Sequence, residues 1–129
     1  MSGPGTELPA SDAQFSKVHF EQERRLREVL LKVDAGRYRE AVVDLKRILK
    51  IDPTFSDGIY WLGYCLEKQG YDQEAFHCYV ELVRYEPSEK SLFQLAQMAY
   101  KVGEFQVAEK SGRECLKRIN YESPYLFEI

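Results

Sequence analysis

Apolar residues along this chain step by three or four positions: Leu26, Val29, Leu30 and Val33; Ala41, Leu45, Ile48 and Leu49; Ile59, Leu62 and Leu66. That period puts each group on one face of an α-helix, whereas a strand would alternate. The pattern predicts an all-α protein. Ser11, followed three residues later by Gln14, has the spacing of a capping box and marks the start of a first helix. Residues 1–12 hold Pro4, Pro9, Gly3 and Gly5 with no hydrophobic period, which predicts a flexible N-terminal tail.

The apolar groups also recur. Gly36, Glu40, Ala41, Asp52 and Pro53 are met again 34 residues on as Gly70, Glu74, Ala75, Glu86 and Pro87, while Leu45, Ile48 and Leu49 become Tyr79, Leu82 and Val83. A third copy follows at a step of 33, in which Gly70, Ala75 and Leu82 become Gly103, Ala108 and Cys115. A two-helix unit of this period resembles the tetratricopeptide repeat. The middle copy, IYWLGYCLEKQGYDQEAFHCYVELVRYEP, carries the resemblance best. Leu62 and Gly63 match the Leu-Gly pair where the family's two helices cross closely, and Gly70 matches its turn glycine. Ala75 and Tyr79 match the small and large packing residues of the second helix, and Pro87 the terminator. Each role has a physical basis: a small residue admits a neighbouring backbone, glycine reaches positive φ without strain, and proline cannot continue a helix interior.

The outer copies depart from the pattern. The first has Arg25, Glu28 and Val29 where aromatic, Leu and Gly residues are usual. The third has Leu95 and Ala96 for the Leu-Gly pair, but Gly112 and Asn120 where a large residue and Pro are usual. Terminal repeats decay in this way because they cap the stack. The resemblance implies an antiparallel helix-hairpin solenoid of about six or seven helices in a right-handed superhelical array. The domain would span residues 13–120, with repeats at about 22–55, 56–89 and 90–120, leaving 121–129 as an apolar C-terminal tail.

It further implies a concave peptide-binding groove lined by the first helix of each unit. Leu26, Arg27, Leu30 and Asp34 would come from the first unit, and Tyr60, Trp61, Tyr64 and Lys68 from the second. Phe93, Gln94, Gln97, Tyr100 and Lys101 would come from the third. Helical spacing supports this in the second unit, where Ile59, Leu62 and Leu66 share one stripe and Trp61, Tyr64 and Lys68 another. Buried Trp and Tyr anchors are the side chains whose truncation costs about 2 kcal/mol or more at interfaces. The expected ligand is therefore a protein or peptide with apolar or aromatic anchors. Members of the family that hold the acidic C-terminal tails of heat-shock chaperones use a clamp of Lys, Asn, Asn, Lys and Arg. The corresponding places here hold Leu26, Leu30, Trp61, Lys90 and Gln94. Only Lys90 matches, so a terminal carboxylate would lack the charge-assisted hydrogen bonds that hold it, and that partner class is excluded.

Composition narrows the remaining classes. With 129 residues, 44% of them hydrophobic, and nine Tyr, seven Phe and one Trp, the chain can bury a core. A net charge of −3 and a pI near 5.5 give no broad basic footprint for nucleic acid or an anionic membrane. The basic clusters Arg24, Arg25, Arg27 and Lys46, Arg47, Lys50 are interleaved with Glu21, Glu23, Glu28, Glu40 and Asp44, which predicts solvated, ion-paired helix faces. The first dozen residues lack the charged and apolar regions of a secretory signal, and no apolar run approaches the roughly 18 residues of a membrane span. Cys65, Cys78 and Cys115 form an odd, scattered set, so a reduced, cytoplasmic protein is expected, with Cys65 and Cys115 as buried inert thiols.

No H-E-x-x-H, G-x-S-x-G or G-x-x-x-x-G-K-[ST] pattern occurs around the two histidines, His19 and His77, or elsewhere. His77 and Cys78 are adjacent and point about 100° apart on a helix, which leaves no four-ligand spacing. No enzyme, metal or cofactor is predicted. The expected function is a non-catalytic adaptor or scaffold. One alternative is a cytoplasmic chaperone of a secreted client, since short three-repeat proteins of that kind resemble this chain in size, acidity and apolar groove. Another is a structural subunit that self-associates, as a homodimer for instance, through its groove or C-terminal tail, or fills the groove with its own residues 13–20 (AQFSKVHF). Solenoids leave an apolar end face unless it is capped, so the ending NYESPYLFEI would fold over the third unit or dock on a second subunit.

Overall fold

A computed structural model describes residues 10–122, with side-chain surroundings for 17–119. Six helices follow one another: α1 (Ala10–Asp34), α2 (Tyr38–Ile51), α3 (Ser56–Lys68), α4 (Asp72–Tyr85), α5 (Glu89–Val102) and α6 (Phe105–Glu122). They form three antiparallel hairpins, α1–α2, α3–α4 and α5–α6, and each helix packs chiefly on its neighbours in sequence. The array is the helical-repeat solenoid implied by the period of the chain.

Glycine makes each hairpin turn. Gly36, Gly70 and Gly103 have φ of 75, 85 and 87°, the left-handed region that a side chain disfavours. In each case the following residue donates its N–H to a carbonyl five residues back: Arg37 to Lys32 at 2.9 Å, Tyr71 to Leu66 at 2.9 Å and Glu104 to Ala99 at 2.8 Å. This is the Schellman closure, which satisfies carbonyls that a helix end would otherwise leave unpaired. Between hairpins, Asp52 and Glu86 close the helices on Ile48 and Leu82 at 2.9 and 2.8 Å, and Pro53 and Pro87 follow. α5 then starts on a reciprocal cap, with Ser88 Oγ accepting from the Ser91 N–H at 3.0 Å and Ser91 Oγ from the Ser88 N–H at 2.9 Å.

The core runs through the stack as one cluster, from Leu26, Val29 and Val33 through Ala41, Leu45 and Ile48 to Leu62, Leu66, Tyr79 and Met98. α3 and α4 approach closely where the Leu-Gly pair predicts it. A Cβ on Gly63 would stand 2.9 Å from the ring of Tyr79, so only glycine lets α3 and α4 meet there. Cys65 and Cys115 are buried free thiols. Of the two basic clusters, Arg24 donates to Glu21 at 2.9 Å and Arg47 lies 3.9 Å from Asp44, while Lys32 and Arg37, outside both, donate to Asp44 at 2.5 Å and to Glu40.

The ends differ from the sequence reading. α1 begins at Ala10, inside the segment expected as tail, and residues 13–20 form its first turns rather than a groove occupant. His19 anchors that extension: its Nδ1 lies 3.1 Å from the buried carboxylate of Asp52, and its ring meets Phe55 edge-on at 5.1 Å. α6 continues through Asn120 to Glu122 because no proline stops it there. Residues 1–9 and 123–129, most of both expected tails, lie outside the described residues.

Candidate protein-binding surface

The aromatic residues of α3 form one connected group. Tyr60 and Trp61 meet edge-on with ring centroids 5.2 Å apart, and Trp61 meets Tyr64 at 5.3 Å. Tyr38, in the first turn of α2, adds an edge contact to Tyr64 at 6.4 Å. All four rings are half-buried, each with part of its surface on the core and part open. Offset edge contacts of this kind hold rings rigid while leaving area for a ligand. Two lysines frame the group. Lys90 Nζ of α5 sits 4.2 Å above the ring of Tyr60, and Lys68 Nζ 5.3 Å from the ring of Tyr64. Burial, then the neighbouring Tyr64 and Glu67, push the Tyr60 phenol above its ordinary value. It stays neutral over the physiological range, a hydrogen-bonding tip on an apolar wall.

The residues expected to share one groove fall into separate places. Tyr60, Trp61, Tyr64 and Lys68 stay together on α3. Leu26 does not join them: at 6% exposure it belongs to the core with Val29 and Val33, so its assignment to the groove is corrected. Leu30 is half-buried against that core, while Arg27 and Asp34 are exposed. On α5, Phe93, Gln97 and Tyr100 line a groove of about 880 Å³ shared with α6, where Tyr100 meets Phe105 at 5.6 Å. Gln94 is half-buried. Lys101 ties α5 to the start of α4, its Nζ 3.4 Å from Asp72 Oδ1, which is buried and has no hydrogen-bond donor.

Tyr38 was missed. It lies two residues past the turn glycine Gly36, at the start of a second helix, and no spacing on the first helices points to it. Among the described residues no three His, Cys, Asp or Glu side chains gather as a metal site, and no helix is long and apolar enough to cross a membrane.

No protein-family model and no curated protein matches the sequence. Solved structures do match the fold. One is the crystal structure of the Yersinia enterocolitica type III secretion translocator chaperone SycD in an alternative dimer, with a TM-score of 0.70 and 20% identity. The match covers 81% of this chain and 80% of that one. At this identity the likeness is one of architecture.

Proposed function

We propose that this chain is a non-catalytic protein-binding repeat of the tetratricopeptide kind, acting as a cytoplasmic adaptor or scaffold. It holds a partner segment with apolar or aromatic anchors against Tyr38, Tyr60, Trp61 and Tyr64. The observation that carries this reading is the cluster itself: four rings fixed edge to edge, half open, on helices held by glycine turns. Because the anchors are ordered before binding, the partner bears most of the ordering entropy. Lys90 supports the choice of ligand as well. The one residue matching the carboxylate clamp is engaged over the face of Tyr60, and its clamp companions are apolar or amide side chains.

A second reading is a chaperone dedicated to a secreted client, and the architecture shared with SycD over 81% of the chain favours it. The two differ in the state of the ligand. An adaptor binds a segment of a folded partner, whereas a chaperone binds a client that stays unfolded until released.

Affinity capture with the wild type beside Trp61→Ala and Tyr64→Ala tests the site. Each variant should stay helical by circular dichroism and lose captured partner by about tenfold or more, the equivalent of a hot-spot residue. Folded variants that capture the same partners at wild-type levels would show that the cluster is not the binding surface. Protease sensitivity of the captured partner then separates the two readings.

A further inference from the structure

The second and third hairpins differ at the pair of positions where their helices cross. In the second, Tyr79 of α4 is 1% exposed and lies against Gly63 of α3. At the 33-residue step the same two places hold Gly112 of α6 and Ala96 of α5. The ring is gone and nothing among the described residues replaces it, since a Cβ on Gly112 would meet none of their atoms within 4 Å. What remains is the groove of about 880 Å³ between α5 and α6, with Ala96, Gly112, Cys115 and Ile119 among its lining. Along it, Phe93, Tyr100, Phe105 and Leu116 are exposed by 51, 70, 62 and 59%. So many large apolar side chains on one face mark a surface that is covered in use.

We propose that residues 123–129, SPYLFEI, cover this groove in the same molecule, with Phe127 filling against Ala96 the space that Tyr79 fills against Gly63. The position of the segment supports this. Glu122, the last described residue of α6, lies just past Ile119 of the groove, so the segment leaves from the groove's own end. Pro124 cannot continue a helix interior and disfavours the helical form at the residue before it, so the sequence itself favours a change of direction here. Its composition fits an apolar trough, with Tyr125, Leu126, Phe127 and Ile129 around a single charge, Glu128.

Reach selects the ring. Gly112 lies about 15 Å back along α6 from Glu122 at 1.5 Å per residue. Extended at roughly 3.3 Å per residue, the chain lets Phe127 reach about 17 Å from Glu122, enough to come level with Gly112, whereas Tyr125, with a reach of about 10 Å, gets only as far as Leu116. Tethering favours the chain's own segment over a second copy. A short flexible link gives an effective concentration in the millimolar range, above that of separate molecules in solution.

The test compares the full chain with a chain ending at Glu122, Phe127→Ala and Tyr125→Ala, using light scattering, thermal melting and an apolar fluorescent dye. Truncation and Phe127→Ala should leave the mass per particle unchanged and lower the Tm by about 5–10 °C, with Tyr125→Ala costing less. Dye fluorescence should rise several-fold on truncation. Gly112→Tyr supplies the ring from within α6, so in that background Phe127→Ala should shift the Tm by no more than about 2 °C. A dimer that becomes a monomer on truncation would place the segment on a second copy and overturn the proposal. Unchanged Tm and dye signal on truncation would overturn it as well, as would an equal loss from Phe127→Ala with and without Gly112→Tyr. Trp61 is not part of this groove, so partner capture through the α3 cluster is read separately.

Discussion

At the scale of single residues, burial decides what the cysteines can do. Cys65 is buried and Cys78 partly so, and burial, aided at Cys78 by Glu74, pushes each thiol from 9.0 up to about 11. A thiol held protonated in the fold binds its proton more tightly than in the unfolded chain, so stability from these groups is complete below about pH 9. It declines as the pH rises from 9.0 to about 11, where the unfolded chain releases the protons and the folded one keeps them. Urea midpoints should therefore fall between pH 8 and 10.5, and fall less steeply in a Cys65→Ala, Cys78→Ala double variant. An equal slope in both proteins would show that the thiols do not carry the effect. Alkylation at pH 8 should be slow in the native protein and rapid in urea. The placement of residues such as Gly63 and Tyr79 was legible in the sequence because a small and a large residue at fixed spacing admit one packing. Leu26 was not. In α1 the register of the repeat is blurred by Arg25 and Glu28, and Leu26 with Val29 and Val33 forms a core stripe that periodicity alone does not distinguish from a neighbouring groove stripe.

Among the elements, the three turns are the features the chain announces most clearly, since positive φ belongs almost to glycine alone. Gly36, Gly70 and Gly103 repeat both the dihedral and the five-residue back-bond. A Cβ at any of them would meet no atom within 4 Å, so the cost of replacing one is backbone strain without a clash. Gly70→Ala should destabilise the protein by about 1–2 kcal/mol, and Gly70→Asn by less, because Asn tolerates the left-handed region better. Denaturant titration measures both, and an alanine variant as stable as the wild type would mean that the turn relaxes to another closure. Helix ends were less legible than turns. Ser11 and Gln14 have capping-box spacing, yet the helix is already under way at Ala10, and Asn120 reads as a stop only by analogy with proline. Composition also left the aromatic residues unsorted. Whether Tyr60 or Phe93 faces a partner depends on which helices stack beside it, and one helix's pattern does not contain that.

For the whole molecule, the consequence of stacking is a stability that varies along the array. Each helix packs chiefly on its neighbours in sequence, so stability is close to a sum of hairpins and the interfaces between them. The middle hairpin, α3–α4, is covered on both sides, by α2 and by α5. It also holds the close crossing of Gly63 on Tyr79 and the largest share of the buried core. Among the described residues the flanking hairpins each have one side without a neighbouring helix, and that of α5–α6 carries the groove beside Gly112. Native-state hydrogen exchange should accordingly find the slowest amides in α3 and α4, and faster exchange in α6 and the first half of α1. Partner binding at Tyr60, Trp61 and Tyr64 would bear on the most stable hairpin and leave the order unchanged. If instead all six helices exchanged with one common free energy, the array would be unfolding as a single cooperative body, and the nearest-neighbour account would fail.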